Sequence, residues 1–261
     1  MLIGAIALAL TAPAPALTTV HSNAFGENVA VAAHPLPFAH AKAKTDVTAA
    51  DRKNNPFLAK LRSSYHLDRI VAGPGGDLER LHRLTAWVHS RWAHNGSNEP
   101  SKGDALTILT EAKLGKEFRC VEYSEVLAAA ANAVGIPARV LNIKTEDVET
   151  RAGGAGHVVV EAFLPDRRKW VMADGQFGIM PMLGKTPLNA VEFQAALARK
   201  NPRLNLGPDP QTSLADYADF VRPYLYYFDA KLKAHYDPDG MVRSAGVMLV
   251  PLGAKEPTGD V

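Results

Sequence analysis

Three residues of this chain could together perform acyl transfer: Cys120, which is the only cysteine, His157 and Asp174. Breaking an amide requires a nucleophile stronger than water, a base that keeps it ionised and an acid for the leaving amine. A free thiol is mostly protonated at neutral pH, but a helix start and a nearby imidazolium both favour the thiolate. We therefore interpret the stretch 118–178 as a catalytic core.

Each of these residues lies at the end of a predicted element. Apolar residues at helical spacing after Cys120 predict a helix that begins at or just before it. His157 begins the predicted strand 157–164, and Asp174 ends the predicted strand 170–174. Antiparallel neighbours bring the start of one strand beside the end of the next. The carboxylate can then hold one ring nitrogen and fix the tautomer of the imidazole.

Each residue also has an ordinary structural interpretation. Cys120 could be a small buried apolar residue, His157 could simply cap a strand, and Asp174 could belong only to a turn. Their joint occurrence at three element ends that should converge favours the catalytic interpretation. Arg139 and Glu161, on neighbouring predicted strands, are expected to pair as a support for the sheet.

The rest of the pattern predicts an α+β fold, with helices mainly before and after the strands. Three consecutive strands most simply form an antiparallel sheet. The predicted helices cover 78 to about 94, 105–114, 188–200 and 214–221, and the additional predicted strands cover 138–143, 224–233 and 241–251.

Composition excludes several classes of function. The net charge is +2, and no block of Lys and Arg forms a basic stripe, so nucleic-acid binding is not expected. The histidine pairs His34 with His40 and His82 with His89 have no third ligand in register, so no metal or other cofactor is expected.

The N-terminus has the pattern of an export signal. Residues 2–10 are almost wholly apolar, and small residues follow at the spacing that a signal peptidase requires, although the charged start is missing. The alternative is an apolar tail. The apolar run is too short for a stable transmembrane helix, and we expect a periplasmic or extracellular protein. The expected divisions are a signal peptide over 1–20, a linker over 21–54, one domain over 55–253 with its core at 78–178, and a flexible tail over 254–261.

In these motifs the chain resembles the transglutaminase-like superfamily, which shares its architecture with papain-type thiol enzymes, and more narrowly it is similar to bacterial transglutaminase-like domain proteins. The matching residues are Cys120 with Tyr123, the run Gly135-Ile136-Pro137-Ala138-Arg139, His157 with Glu161, and Trp170 with Asp174.

The resemblance implies roles for the three residues. Cys120 is the implied nucleophile, His157 the general base and acid, and Asp174 the orienting carboxylate. The implied fold places the cysteine at the start of a helix that packs on an antiparallel sheet carrying the other two. Family members often have an aromatic residue two positions after the histidine, and here that residue is Val159.

Two classes of function follow. The first is a cysteine-dependent amide hydrolase or acyltransferase that acts on a protein or peptide, with cell-wall peptides among the candidates, through a thioester. Water as acceptor gives a peptidase or amidase, and a lysine amine gives a crosslinking enzyme. The second is a catalytically inactive binding module of the cell envelope. In the first class the backbone N–H of Cys120 would stabilise the oxyanion, with Gln176 or Trp92 as candidate second donor.

Overall fold

The computed structural model of the protein describes residues 17–20, 29–32, 35–38, 55–231, 235–236, 242–243 and 246–257. Most of the expected signal peptide and linker, both His34 and His40, and the last four residues of the expected tail lie outside these ranges. In the described part of the chain, no helix is long and apolar enough to cross a membrane.

The helices and strands alternate in blocks along the chain. The helices are α1 (Pro56–Ser64), α2 (Leu67–Val71), α3 (Asp77–His89), α4 (Ala105–Lys113), α5 (Cys120–Ala133), α6 (Ala190–Ala198) and α7 (Leu214–Val221), which a 3-10 turn at Arg222–Tyr224 extends. The strands are β1 (Leu17–Val20), β2 (Val29–Ala32), β3 (Ala138–Lys144), β4 (Gly156–Leu164), β5 (Lys169–Ala173), β6 (Met182–Leu183), β7 (Thr186–Pro187), β8 (Leu204–Asn205), β9 (Tyr227–Lys231), β10 (His235–Tyr236), β11 (Val242–Arg243) and β12 (Gly246–Leu249).

The predicted antiparallel sheet is confirmed and is wider than the sequence indicates. It has five strands in the order β12-β9-β3-β4-β5. Val160 in the middle of β4 lies opposite Ala173, the last residue of β5, so the first four residues of β4, which include His157, extend past the end of β5. The short strands β6, β7 and β8 form a separate sheet that the sequence does not predict, because two-residue strands carry no measurable alternation.

Helix α5 packs against the sheet on one side and against α1, α3 and α4 on the other. Its alanines 128–131 are all buried, and their short side chains allow these elements to approach its backbone closely. The helix ends where Gly135 takes a φ of +87°, in the left-handed region that glycine adopts without strain. The amide of Ile136 closes this end by donating to the carbonyl of Ala131 over 2.9 Å.

Two buried clusters cover the two faces of the sheet. Helices α1 to α5 pack on the face that includes Val160 and Ala162, whereas α6 and α7 pack on the face that includes Val159 and Met172. This division follows from the alternation of side chains along each strand. The α+β fold class is therefore confirmed.

One predicted helix end was wrong. The helix predicted to reach about residue 94 ends earlier, at His89. The following residues turn away, and the amide of Asn95 donates to the carbonyl of Phe118 over 2.9 Å. This bond between distant segments, which no local pattern reveals, ties the chain to the stretch that leads into α5.

The predicted pair between Arg139 and Glu161 is confirmed. Nη2 of Arg139 donates to Oε2 of Glu161 over 2.5 Å across β3 and β4, and the guanidinium lies 4.3 Å from the ring centre of Trp170. Because both partners are largely buried, removing one would leave the other charge without compensation. The pair is therefore a structural support of the sheet.

Candidate active site

Cys120 is the first residue of α5, and it is partly exposed. The backbone of Arg119 before it is extended, and the amide of Arg119 donates to Oε2 of Glu122 over 3.1 Å. The first amides of a helix have no partner within the helix, and they form its positive dipole end. The thiol of Cys120 therefore occupies a position that favours negative charge on sulfur.

His157 and Asp174 form a buried pair at the end of the sheet. Nε2 of His157 lies 2.7 Å from Oδ2 of Asp174, and the residues are 2% and 0% exposed. Burial by itself lowers the pKa of His157. The charge and hydrogen bond of Asp174, together with the hydrogen bond and charge of Cys120, outweigh burial and raise that pKa to about 10. At neutral pH the ring is therefore an imidazolium.

The structure thus brings together the three residues that the sequence singled out. Cys120 lies within hydrogen-bonding reach of the His157 ring. Because Nε2 already contacts Asp174, Nδ1 is the nitrogen left for the thiol. A hydroxyl also joins the two elements that carry these groups, since Ser124 Oγ, on α5, donates to the carbonyl of Val158 over 2.8 Å.

The loop after β5 also contacts α5 closely. A side chain at Gly175 would place its Cβ 3.2 Å from the carbonyl oxygen of Tyr123, closer than an ordinary contact. The backbone carbonyl of Gln176 accepts a hydrogen bond from Nδ1 of His89 over 2.7 Å. Because Gly175 has no side chain, the segment that carries Asp174 can lie directly against α5.

Four hydrogen bonds fix the carboxylate of Asp174. Its Oδ1 accepts from the amides of Gln176 and Phe177 over 2.9 Å and 3.1 Å. Its Oδ2 accepts from His157 and also from the hydroxyl of Tyr217 over 2.8 Å. The contact of Tyr217 is not apparent from the sequence, since a tyrosine on an amphipathic helix gives no sign of a partner 43 residues away.

Three aromatic rings, which we call the aromatic wall, surround the imidazole of His157. The ring centres of Phe220, Phe177 and Tyr224 lie 5.0, 6.1 and 6.2 Å from that of His157. Phe220 comes from α7 and Tyr224 from the turn that follows it. The wall limits access of water to the imidazole, which strengthens its interaction with the nearby charges. The position of these rings beside His157 is not apparent from the sequence.

The two candidates for a second oxyanion donor differ in the atom that lacks a partner. Nε1 of Trp92 is a buried donor with no hydrogen-bond partner in the described part of the chain. The Trp92 ring lies 4.5 Å from that of Tyr123, one turn beyond Cys120. In Gln176 the buried atom without a partner is Oε1, an acceptor, which cannot stabilise an oxyanion. Of the two residues, only Trp92 thus has a buried donor without a partner in the described part of the chain.

Comparisons with known proteins give one family match and several similar solved structures. Residues 66–175 match the family model of the Transglutaminase-like superfamily. No curated protein matches the chain.

Several solved structures are similar over part of the chain. A candidate cysteine protease from Cytophaga hutchinsonii is 15% identical with a TM-score of 0.36, and the match covers 55% of this chain and 46% of that one. A candidate protease from Parabacteroides distasonis is 15% identical with a TM-score of 0.33, over 60% and 35% of the two chains. The periplasmic domain of TgpA from Pseudomonas aeruginosa is 17% identical with a TM-score of 0.33, over 49% and 51%. The chain thus spans about half or less of these proteins.

The matched segment includes Cys120, His157 and Asp174, whereas α6 and α7 lie beyond it. The resemblance stated from the motifs is confirmed for this part of the chain. The segment 66–175 is therefore similar to the transglutaminase-like superfamily.

Proposed function

We propose that the protein is a cysteine-dependent amide hydrolase or acyltransferase that acts on peptide-like substrates through a thioester on Cys120. The observation that supports this function is the chain of contacts from the thiol of Cys120 to the imidazole of His157 and on to the carboxylate of Asp174. A nucleophile, a base and a group that orients the base are the parts that acyl transfer requires.

In the first half of the proposed reaction, Sγ of Cys120 attacks the carbonyl carbon of the amide and forms a C–S bond. The oxyanion accepts hydrogen bonds from the Cys120 amide and from Nε1 of Trp92. When the C–N bond breaks, His157 transfers its proton to the leaving nitrogen. The amine departs, and the acyl group remains on sulfur as a thioester.

In the second half, water or an amine attacks the thioester, and His157 accepts the proton of the attacking group. The C–S bond breaks, and Cys120 leaves as a thiolate. Acylation removes the negative charge of Cys120, which is one of the causes that raise the pKa of His157. Acylation therefore lowers the pKa of His157, so the ring stays neutral after it has given its proton to the leaving amine, and it can accept a proton in the second half.

The first prediction concerns the thioester itself. Incubation of the full chain with p-nitrophenyl acetate, an activated acyl donor, is expected to add one acetyl group to Cys120. Intact-protein mass spectrometry would show the adduct, and hydroxylamine would remove it because it cleaves thioesters. The variant Cys120→Ala is the control and should remain unmodified. A native chain that neither carries the adduct nor releases p-nitrophenol faster than Cys120→Ala would contradict the proposal and favour the inactive binding module.

The acceptor can be identified with the same material. The chain is incubated with glutamine-bearing peptides and with cell-wall peptides, each with and without an added amine. Mass spectrometry then distinguishes hydrolysis, in which the amide becomes an acid, from transfer, in which the amine is joined to the acyl group. If no peptide gave either product, the assignment of peptide-like substrates would be contradicted.

We also propose that the protein is exported. The support is the apolar run 2–10 with the small residues that follow it. Protein recovered from the periplasm or the medium is expected to lack about the first 20 residues, as N-terminal sequencing would show. Full-length protein confined to the cytoplasm would contradict export.

A further inference from the structure

Tyr217 contacts the His157–Asp174 pair from outside the segment that matches the superfamily. Its hydroxyl donates to Oδ2 of Asp174 over 2.8 Å, and the same oxygen lies 2.7 Å from Nε2 of His157. Tyr217 and Asp174 are both 0% exposed. A single carboxylate oxygen is therefore shared between an imidazole and a phenol in a site that water does not reach.

From this geometry we propose that Tyr217 is a positioning residue whose hydroxyl holds Asp174 in the orientation that presents Oδ2 to His157. The inference rests on the proposed function, in which His157 transfers protons to and from the substrate. Tyr217 touches neither the substrate nor the thiol, so it acts only through Asp174.

The hydrogen bonds of Asp174 show why the hydroxyl matters. The amides of Gln176 and Phe177 hold Oδ1, but they do not set the direction of Oδ2. Of the two donors to Oδ2, only His157 would remain if the hydroxyl of Tyr217 were removed. The carboxylate could then rotate about its Oδ1 anchor, and the buried site offers no water to replace the lost donor.

The phenol ring is itself held firmly. Its centre lies 5.1 Å from that of Phe177 and 6.0 Å from that of Phe193, which stacks on it. Helix α7 is anchored at its start, where Oγ of Ser213 accepts from the amide of Asp216 over 3.1 Å. A rigid donor on an anchored helix can orient a carboxylate, because little conformational entropy remains to be lost.

The protonation states fit this role. Burial, followed by the charge and hydrogen bond of Asp174, raises the pKa of Tyr217 well above its usual value, so the hydroxyl keeps its proton. The titratable groups that face His157 in the described part of the chain are Cys120 on α5, Asp174 after β5, His94 and Tyr224. Tyr217 reaches His157 only through the shared oxygen.

The test compares Tyr217→Phe with Tyr227→Phe in the full chain. Tyr227 is also buried, but its hydroxyl donates to the carbonyl of Lys255 over 2.9 Å, away from the site. In Tyr217→Phe the pKa of His157, measured by ¹⁵N NMR, should fall, because the freed carboxylate can turn away from the ring, and its charge and hydrogen bond are what raise that pKa. Turnover of p-nitrophenyl acetate should fall about 10- to 150-fold, as expected for loss of one hydrogen bond to a charged group. Tyr227→Phe should change neither quantity.

An unchanged or raised pKa of His157 in Tyr217→Phe would overturn the inference even if turnover fell, because it would show that the carboxylate keeps its place beside the ring without the hydroxyl. A second measurement needs no substitution and covers the case in which Tyr217→Phe does not fold. In the native chain, the ¹³Cζ resonance of Tyr217 should shift at the pH where His157 loses its proton, whereas that of Tyr227 should not. Absence of this coupling would also overturn the inference.

Failure of this inference can be told apart from failure of the proposed function. The titration of His157 is observed without any turnover, whereas the proposed function is tested by the acetyl adduct on Cys120. If the acetyl adduct formed on Cys120 but the pKa of His157 did not change in Tyr217→Phe, the thioester mechanism would stand and Tyr217 would have no part in it.

Discussion

The variant His157→Gln is expected to turn over p-nitrophenyl acetate about 10²- to 10⁴-fold more slowly than the native chain, the range typical of general acid–base catalysis. The substitution removes the cation that lies against the thiol of Cys120 and also the group that accepts a proton from water. Alkylation of Cys120 by iodoacetamide at neutral pH should slow as well, because the thiolate loses its counterion.

A matched control for this variant is His82→Gln. His82 is on α3 and its Nε2 contacts the carbonyl of Pro208 over 3.1 Å, so it is not part of the site. Turnover by the His82 variant should equal that of the native chain. Turnover that persists in His157→Gln, with Cys120 still required, would show that another group acts as the base.

The variant Asp174→Asn is expected to lower the pKa of His157 and to reduce turnover about 10²- to 10⁴-fold. Burial lowers the pKa of His157, and the charge and hydrogen bond of Asp174 are the first causes that raise it. With a neutral amide at position 174, burial is opposed mainly by Cys120. The amide can also present its NH₂ group to the ring, which would select the wrong tautomer.

The same variant should change how stability depends on pH. The pKa of His157 is raised in the folded chain, from an ordinary value of 6.5 to about 10. The stabilising contribution of the charged His157 to the free energy of unfolding is therefore complete below about pH 6.5, and it is lost as the pH rises through about 10. Asp174→Asn should destabilise the protein most near neutral pH and least above pH 10, as urea unfolding over that range would show.

Asp104→Asn is the control for both effects. Asp104 is also a buried carboxylate, 5% exposed, but it caps the start of α4, and asparagine caps a helix equally well. Its turnover and pH dependence should match those of the native chain. If His157 had the same pKa in Asp174→Asn as in the native chain, Asp174 could not be the group that stabilises the imidazolium.

The sequence by itself determined the elements on which the proposed catalytic residues lie. The helical spacing after Cys120 placed this residue at a helix start, and the β-branched run after His157 placed that residue at a strand start. Both signals are local, because periodicity reports which face of one element is buried. Gly135 marked the end of α5 for a local reason too, since glycine adopts the left-handed backbone there without strain. The catalytic roles of these residues stay predictions.

Only the tertiary structure decided what surrounds the pair of His157 and Asp174. Helix α7 was predicted with its bounds at 214–221, yet nothing in its pattern indicated that Tyr217 contacts Asp174 or that Phe220 lies beside His157. These contacts join residues that are far apart in the chain, and their formation depends on how α7 packs on the sheet. Amphipathic spacing specifies that a helix has a buried face, but it does not specify which residues that face will meet.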